Sequence, residues 1–153
     1  MPGKLERMKH LPSRFLAVAL AGSLALSACA DPRPPTGRWE GVYEDGNVII
    51  VARLEIKPDG VIRVSAPNAI IETPVPTDER SALRRQLQER LTASWPYVDP
   101  LRLDFDGKAF RKPGGVAPQL EWDGGKKQMT LVFYSGNRSS VHVPLAAVSE
   151  FGT

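Results

Sequence analysis

Beyond residue 37 the chain alternates apolar with polar positions. Leu101, Leu103 and Phe105 interleave with Arg102, Asp104 and Asp106, and Ala52, Leu54 and Ile56 with Arg53, Glu55 and Lys57. A period of two sends successive side chains to opposite faces of an extended backbone, so each run predicts a strand with one buried face. Ile62 and Val64 around Arg63, Met129, Leu131 and Phe133 around Thr130 and Val132, and Val141 and Val143 around His142 repeat the pattern. Trp39–Tyr43, Ala109–Lys112 and Gln119–Trp122 are shorter strand candidates.

Hairpin chemistry separates these runs: Asp45-Gly46-Asn47, Pro58-Asp59-Gly60, Asp106-Gly107, Asp123-Gly124-Gly125 and Ser135-Gly136-Asn137. Glycine supplies the positive φ of tight turns, and Asp or Asn tolerates it. Short links make neighbouring strands antiparallel, so a meander is expected. One helix, about 77–95, interrupts it. Thr77 can cap its start, Asp78 and Glu79 sit where the helix dipole favours acids, and Pro96 stops it. Leu83, Leu87 and Leu91, with Trp95, form an apolar stripe to lay on the sheet. The fold class is therefore α+β, mainly β: an antiparallel meander forming a curved sheet or partial barrel with one packed helix. The stretch GRWEGVY, Gly37–Tyr43, is similar to the Gly-x-Trp opening of lipocalin-like barrels. That resemblance implies a small barrel beginning here, and a tryptophan opening the first strand of any small barrel would read the same.

The N-terminal residues are of another kind. Lys4, Arg7, Lys9 and Arg14 precede twelve uncharged residues, Phe15–Leu26, and the small Ser27 and Ala28 lead to Cys29. This is the basic, apolar and small-residue succession of a secretory signal. A helix of that length rises about 18 Å, short of a hydrocarbon core of about 30 Å. Leu26-Ser27-Ala28-Cys29 resembles the lipobox of bacterial lipoproteins. The resemblance implies that residues 1–28 are removed and that Cys29 is acylated, so that acyl chains hold the protein to a membrane on the periplasmic side. An ordinary secretory signal with an incidental cysteine is the alternative, and either Met1 or Met8 fits as the start. An acid that would favour inner-membrane retention is expected at the position of Ala30; Asp31 lies one place later, which favours the outer membrane. Residues 29–36 then form a proline-rich tether, and 37–153 a single mainly β domain.

Charge changes the picture once the signal is set aside. The whole chain carries 20 Lys and Arg against 17 Asp and Glu. Removing residues 1–28 takes away four bases and Glu6, leaving 16 of each. A neutral domain gives no electrostatic reason to bind nucleic acid. Cys29 is the sole cysteine, so no disulfide framework supports the fold.

The inventory for catalysis is thin. His142 should point outward, no Gly-x-Ser-x-Gly elbow is present, and zinc lacks ligands. The stretch DFDG, Asp104–Gly107, begins like a calcium loop but offers Lys108 and Gly115 where oxygen ligands belong. Asp104, Glu55 and Glu121 could supply a carboxylate pair, although alternation turns all three outward. Neither catalytic residues, metal ligands nor a cofactor site are expected. Arg80, Arg84 and Gln88 along one helix edge form a candidate partner surface, and Trp39, Tyr43, Trp95, Tyr97, Trp122 and Tyr134 could rim a pocket. The expectation is a non-catalytic, lipid-anchored envelope protein that binds an apolar ligand or a protein partner through its β domain. The alternatives are a structural component of an envelope complex, marked by exposed tryptophans, or an inhibitor of a periplasmic hydrolase acting through a loop such as Lys112–Pro118.

Overall fold

The computed structural model describes residues 33–134 and 139–152. The expected signal, the lipobox-like stretch with Cys29 and the expected turn at Ser135-Gly136-Asn137 lie outside the described residues. Among those described, the chain forms β1 (Gly37–Glu44), β2 (Val48–Ile56), β3 (Ile62–Ser65), β4 (Asn68–Ile70), α1 (Thr77–Ser94), β5 (Asp104–Phe105), β6 (Ala109–Arg111), β7 (Pro118–Asp123), β8 (Gln128–Tyr134) and β9 (Ser140–Val148). Every pairing is antiparallel, in the order β3-β2-β1-β9-β8-β7-β6-β5, with β4 also on β2. The sheet curls into a half-barrel, and an antiparallel bridge between Ile62 and Leu101 ties β3 to the segment entering β5. The meander runs within each half, and the first and last strands join the halves.

Alternation fixes which side chains meet inside. Ala52, Leu54 and Ile56 from β2 pack with Trp39, Ile62, Phe110, Leu120, Met129 and Val143 in one inner core. Fully burying a side chain of Leu or Ile size stabilises by roughly 1.5–3 kcal/mol, which makes this the main cohesive term. The opposite face of β2 is covered too: Ile49 and Val51 pack against Leu87 and Leu91 of α1 and against Ile71. The sequence pattern predicts β2 as half-buried, but its start reads VIIVA, a continuous apolar run suited to a strand covered on both sides.

Two other expectations shift. Leu101, Leu103 and Phe105 keep their period of two and pack on the inner core, yet only Asp104–Phe105 forms a ladder. Pro76, not Thr77, takes the position before the helix, and no side chain caps it. Leu87, Leu91 and Trp95 are buried as the stripe requires. Pro96 ends α1 in a 3-10 turn, Trp95–Tyr97.

The hairpin aspartates act as expected of turn residues. Asp45 accepts backbone N–H bonds from Asn47 and Val48 at 2.7 and 2.9 Å, Asp106 from Lys108 and Ala109 at 2.9 and 2.8 Å, and Asp123 from Gly125 and Lys126 at 3.0 Å each. These donors favour the ionised form, so all three carboxyls are held below their ordinary range. In the last turn the left-handed position is taken by Lys127, φ 52°, rather than by a glycine.

The join between halves is short. Arg38, Trp39 and Glu40 of β1 pair with Val148, Ala147 and Ala146 of β9, and the ladder stops there. Gly41 follows, at the point where β9 carries Pro144. A Cβ at Gly41 would run into the carbonyl oxygen of Pro144 and lie 2.8 Å from Leu145 Cδ2, so the backbones approach this closely only without a side chain.

Two predictions follow from these contacts. Gly41→Ala should lower stability in urea by about 2–3 kcal/mol, since the strands must part, whereas Gly46→Ala, with open space around it, should stay within about 0.5 kcal/mol. Because the three turn carboxyls have folded pKa values below their unfolded ones, their contribution is present above about pH 4 and lost as pH falls through the folded values. A triple Asp45→Asn, Asp106→Asn, Asp123→Asn variant should show a shallower acid loss in a pH series of urea midpoints.

Candidate functional site

An apolar cavity lies between β3 and the segment before β5 on one side and β7 and β8 on the other. The ladder between β6 and β7 slips at Phe110/Arg111, and the chain then swings through residues 112–117 before re-entering as β7. That loop is fixed at several points: Gly115 N–H donates to Lys112 O at 2.8 Å, Arg111 Nε to Val116 O at 2.9 Å, and the Tyr134 hydroxyl to Pro118 O at 2.8 Å. Gly114 sits at φ 72°, which a side chain would oppose. Beneath the loop lies a cavity of about 320 Å³. Its walls are Val64 from β3, Leu101 and Leu103 from the segment before β5, and Leu120 and Leu131 from the inner faces of β7 and β8. Pro113 and Gln119 complete the wall at the loop, and Arg102 and Lys112 bring two cations to the same space. Among the described residues neither cationic side chain has a hydrogen-bond or ion-pair partner. No carboxylate lines the cavity.

None of the six aromatic residues expected to rim a pocket lines this one. Trp39 and Trp95 are buried and Trp122 half-buried, so no described tryptophan is exposed. The wall residues carry the same inward alternation that predicts the strands, but nothing in the sequence says that they border a space. Arg102 reads as the outward residue of its run and Lys112 as the start of a loop.

The candidate helix edge divides. Arg80 Nε bonds Glu44 Oε1 at 2.8 Å, and its Nη atoms donate to the backbone carbonyls of Asp45 and Gly46. Arg84 Nη1 lies 3.5 Å from Glu44 Oε2. Both arginines thus fasten the start of α1 to the β1–β2 hairpin. Gln88 instead borders a second cavity of about 370 Å³ between α1 and the sheet, with Glu40, Arg53 and Gly152. That space mixes polar with apolar walls and already holds an ion pair. Arg53, 5 % exposed, donates to Glu40 Oε1 at 2.8 Å and to Gly152 O at 2.7 Å, and its guanidinium lies 4.5 Å from the Phe151 ring centre. Arg63 lies 4.6 Å over Trp95 and donates to the carbonyls of Trp95 and Val98. Cations and rings therefore alternate across the outer face of β1–β3, binding α1 and the 151–152 segment to the sheet.

The residues considered for catalysis fall into separate networks. Glu55 pairs with Arg38 at 3.0 Å and Arg63 at 3.9 Å, and Asp104 is exposed on β5. Asp106 closes its own turn and pairs with Arg111. His142 does point outward: its Nδ1 lies 3.3 Å from Glu121 Oε2 and its Nε2 3.0 Å from Ser140 Oγ. That is the atom order of a serine–histidine–carboxylate array. His142 and Glu121 are nearly half exposed on the outer face, away from the apolar cavity, where water competes for each contact. Among the described residues no group of three or more His, Cys, Asp or Glu could hold a metal ion, and no helix is long and apolar enough to cross a membrane.

No family model, curated protein or solved structure matches the chain.

Arg53→Met should lower stability by about 3 kcal/mol in urea, because Glu40 and the Gly152 carbonyl lose a buried partner. Arg85→Ala, which removes only an exposed pair with Glu89 at 3.8 Å, should change it by less than about 0.5 kcal/mol.

Proposed function

We propose that the chain is a lipid-anchored protein of the bacterial envelope, held by acyl chains on Cys29 and facing the periplasm, the outer membrane favoured over the inner. Its β domain acts without catalysis and binds an apolar ligand in the apolar cavity beneath the 112–117 loop. The observation that carries this reading is the apolar cavity of about 320 Å³, walled by side chains from five separate segments and continuous with the inner core. An apolar ligand is driven into such a space by the surface it removes from water, and strands keep the walls in place without the ligand. The succession Leu26-Ser27-Ala28-Cys29 supports the anchor.

A second reading rests on one observation: Val116, in the 112–117 loop, is 90 % exposed. A fastened loop with an exposed apolar side chain suits insertion into a partner, as an inhibitor of a periplasmic hydrolase would require.

Native mass spectrometry of the full chain extracted from membranes in gentle detergent tests these readings. The expected species begins at Cys29, carries acyl mass and retains a further non-covalent mass. Val64→Trp, which fills the cavity, should release that mass while the thermal transition persists. Acylated protein with nothing bound in the unaltered chain would remove the ligand reading, and an unacylated chain would remove the anchor. A fluorophosphonate probe should leave Ser140 unlabelled; labelling that depends on His142 would overturn the non-catalytic reading.

A further inference from the structure

We infer that the ligand of this cavity is a single-chain carboxylate amphiphile, a free fatty acid, whose chain fills the apolar space and whose head lies between Arg102 and Lys112. The inference rests on the reading of this cavity as a ligand site and specifies what enters it. Seven of the described arginines pair with a carboxylate of the chain itself: Arg38, Arg53, Arg63, Arg80, Arg84, Arg85 and Arg111. Pairing is thus the habit of this surface. Arg102 departs from it, as Arg33 and Arg90 do, and Lys112 is one of four described lysines without an ion pair; Arg102 and Lys112 are the two that stand together at the border of an apolar space. A neutral ligand would leave both cations unmatched, and a cationic one would be repelled.

The dimensions select further. At about 30 Å³ per heavy atom, a cavity of about 320 Å³ holds roughly ten chain atoms. That is most of one acyl chain and not two, so a diacyl lipid is too large. The planar fork of Arg102 matches a carboxylate in two parallel hydrogen bonds, and Lys112 adds a point charge from the loop side. Gln119 offers an amide donor at the same border.

The test uses the full chain in membrane vesicles from the cells that express it. A photoreactive twelve-carbon fatty acid is titrated against the same probe ended by an alcohol and against a monoacyl phosphate, with crosslinked peptides mapped by mass spectrometry. The carboxylate should label the segment 101–103 and the loop 112–113 saturably, with half-saturation about tenfold below that of the alcohol. The double variant Arg102→Gln, Lys112→Gln alters two exposed side chains, so its thermal transition should stay in place while its half-saturation rises to the alcohol's value. Equal labelling by acid and alcohol would overturn the carboxylate and leave an apolar site standing. Tighter labelling by the phosphate would overturn the fatty acid in favour of a phosphate head. Absence of labelling by all three probes would overturn both the inference and the site beneath it.

Discussion

Three residue pairs between β1 and β9 join the two halves of this sheet, and the Ile62–Leu101 bridge ties their far edges. Everything inside the half-barrel depends on that join, because the inner core draws on both halves: Trp39 and Leu54 come from one, Leu120 and Met129 from the other. The partners are the first and last strands of the domain, so the contact closes a long loop that only later packing rewards. Gly41 sets how near the two backbones come, and past it the ladder is not continued. The half-barrel is therefore tightly joined over three residue pairs and freer beyond them.

The outer face is organised by charge rather than by oil alone. β2 is the strand on which both faces depend, with the inner core beneath it and α1 above. Where the helix ends, Arg53 and Arg63 replace leucine as the covering groups and interleave with Trp95 and Phe151. A buried guanidinium is stable there because its donors are met by Glu40 and by the Gly152 carbonyl, and its flat faces lie against rings. Arg80 does the same for the start of α1 by filling the acceptors of the Asp45–Gly46 turn.

Much of this was legible in the letters. Alternation located the strands other than β4, the Asp-containing turns located the hairpins, and the leucine stripe located the helix and its buried face. Four things were not. Alternation labels Arg53 as outward, which is correct, but cannot say that an outward face is itself covered. The run Leu101–Phe105 keeps its pattern without its ladder, since period two reports which side is buried and is silent on hydrogen bonding. Arg80 and Arg84 looked available because a helix edge shows no sign of the Glu44 that a hairpin brings to it. The cavity was illegible for a related reason: Leu120 and Leu131 read as core whether or not the opposite wall reaches them, and Arg102 and Lys112 meet there only after a bulge and a loop have turned the chain.

The position of β1 has a mechanical consequence. Residues 33–36 lead directly into this strand, which is bonded along eight residue pairs to β2 on one side and along three to β9 on the other. A pull delivered through those residues runs along the strand axis and loads the flanking hydrogen bonds in parallel, as shear, instead of opening them one at a time as a zipper. The domain is thus gripped from within its sheet, so tension on the leading segment must overcome many bonds together before the inner core is exposed.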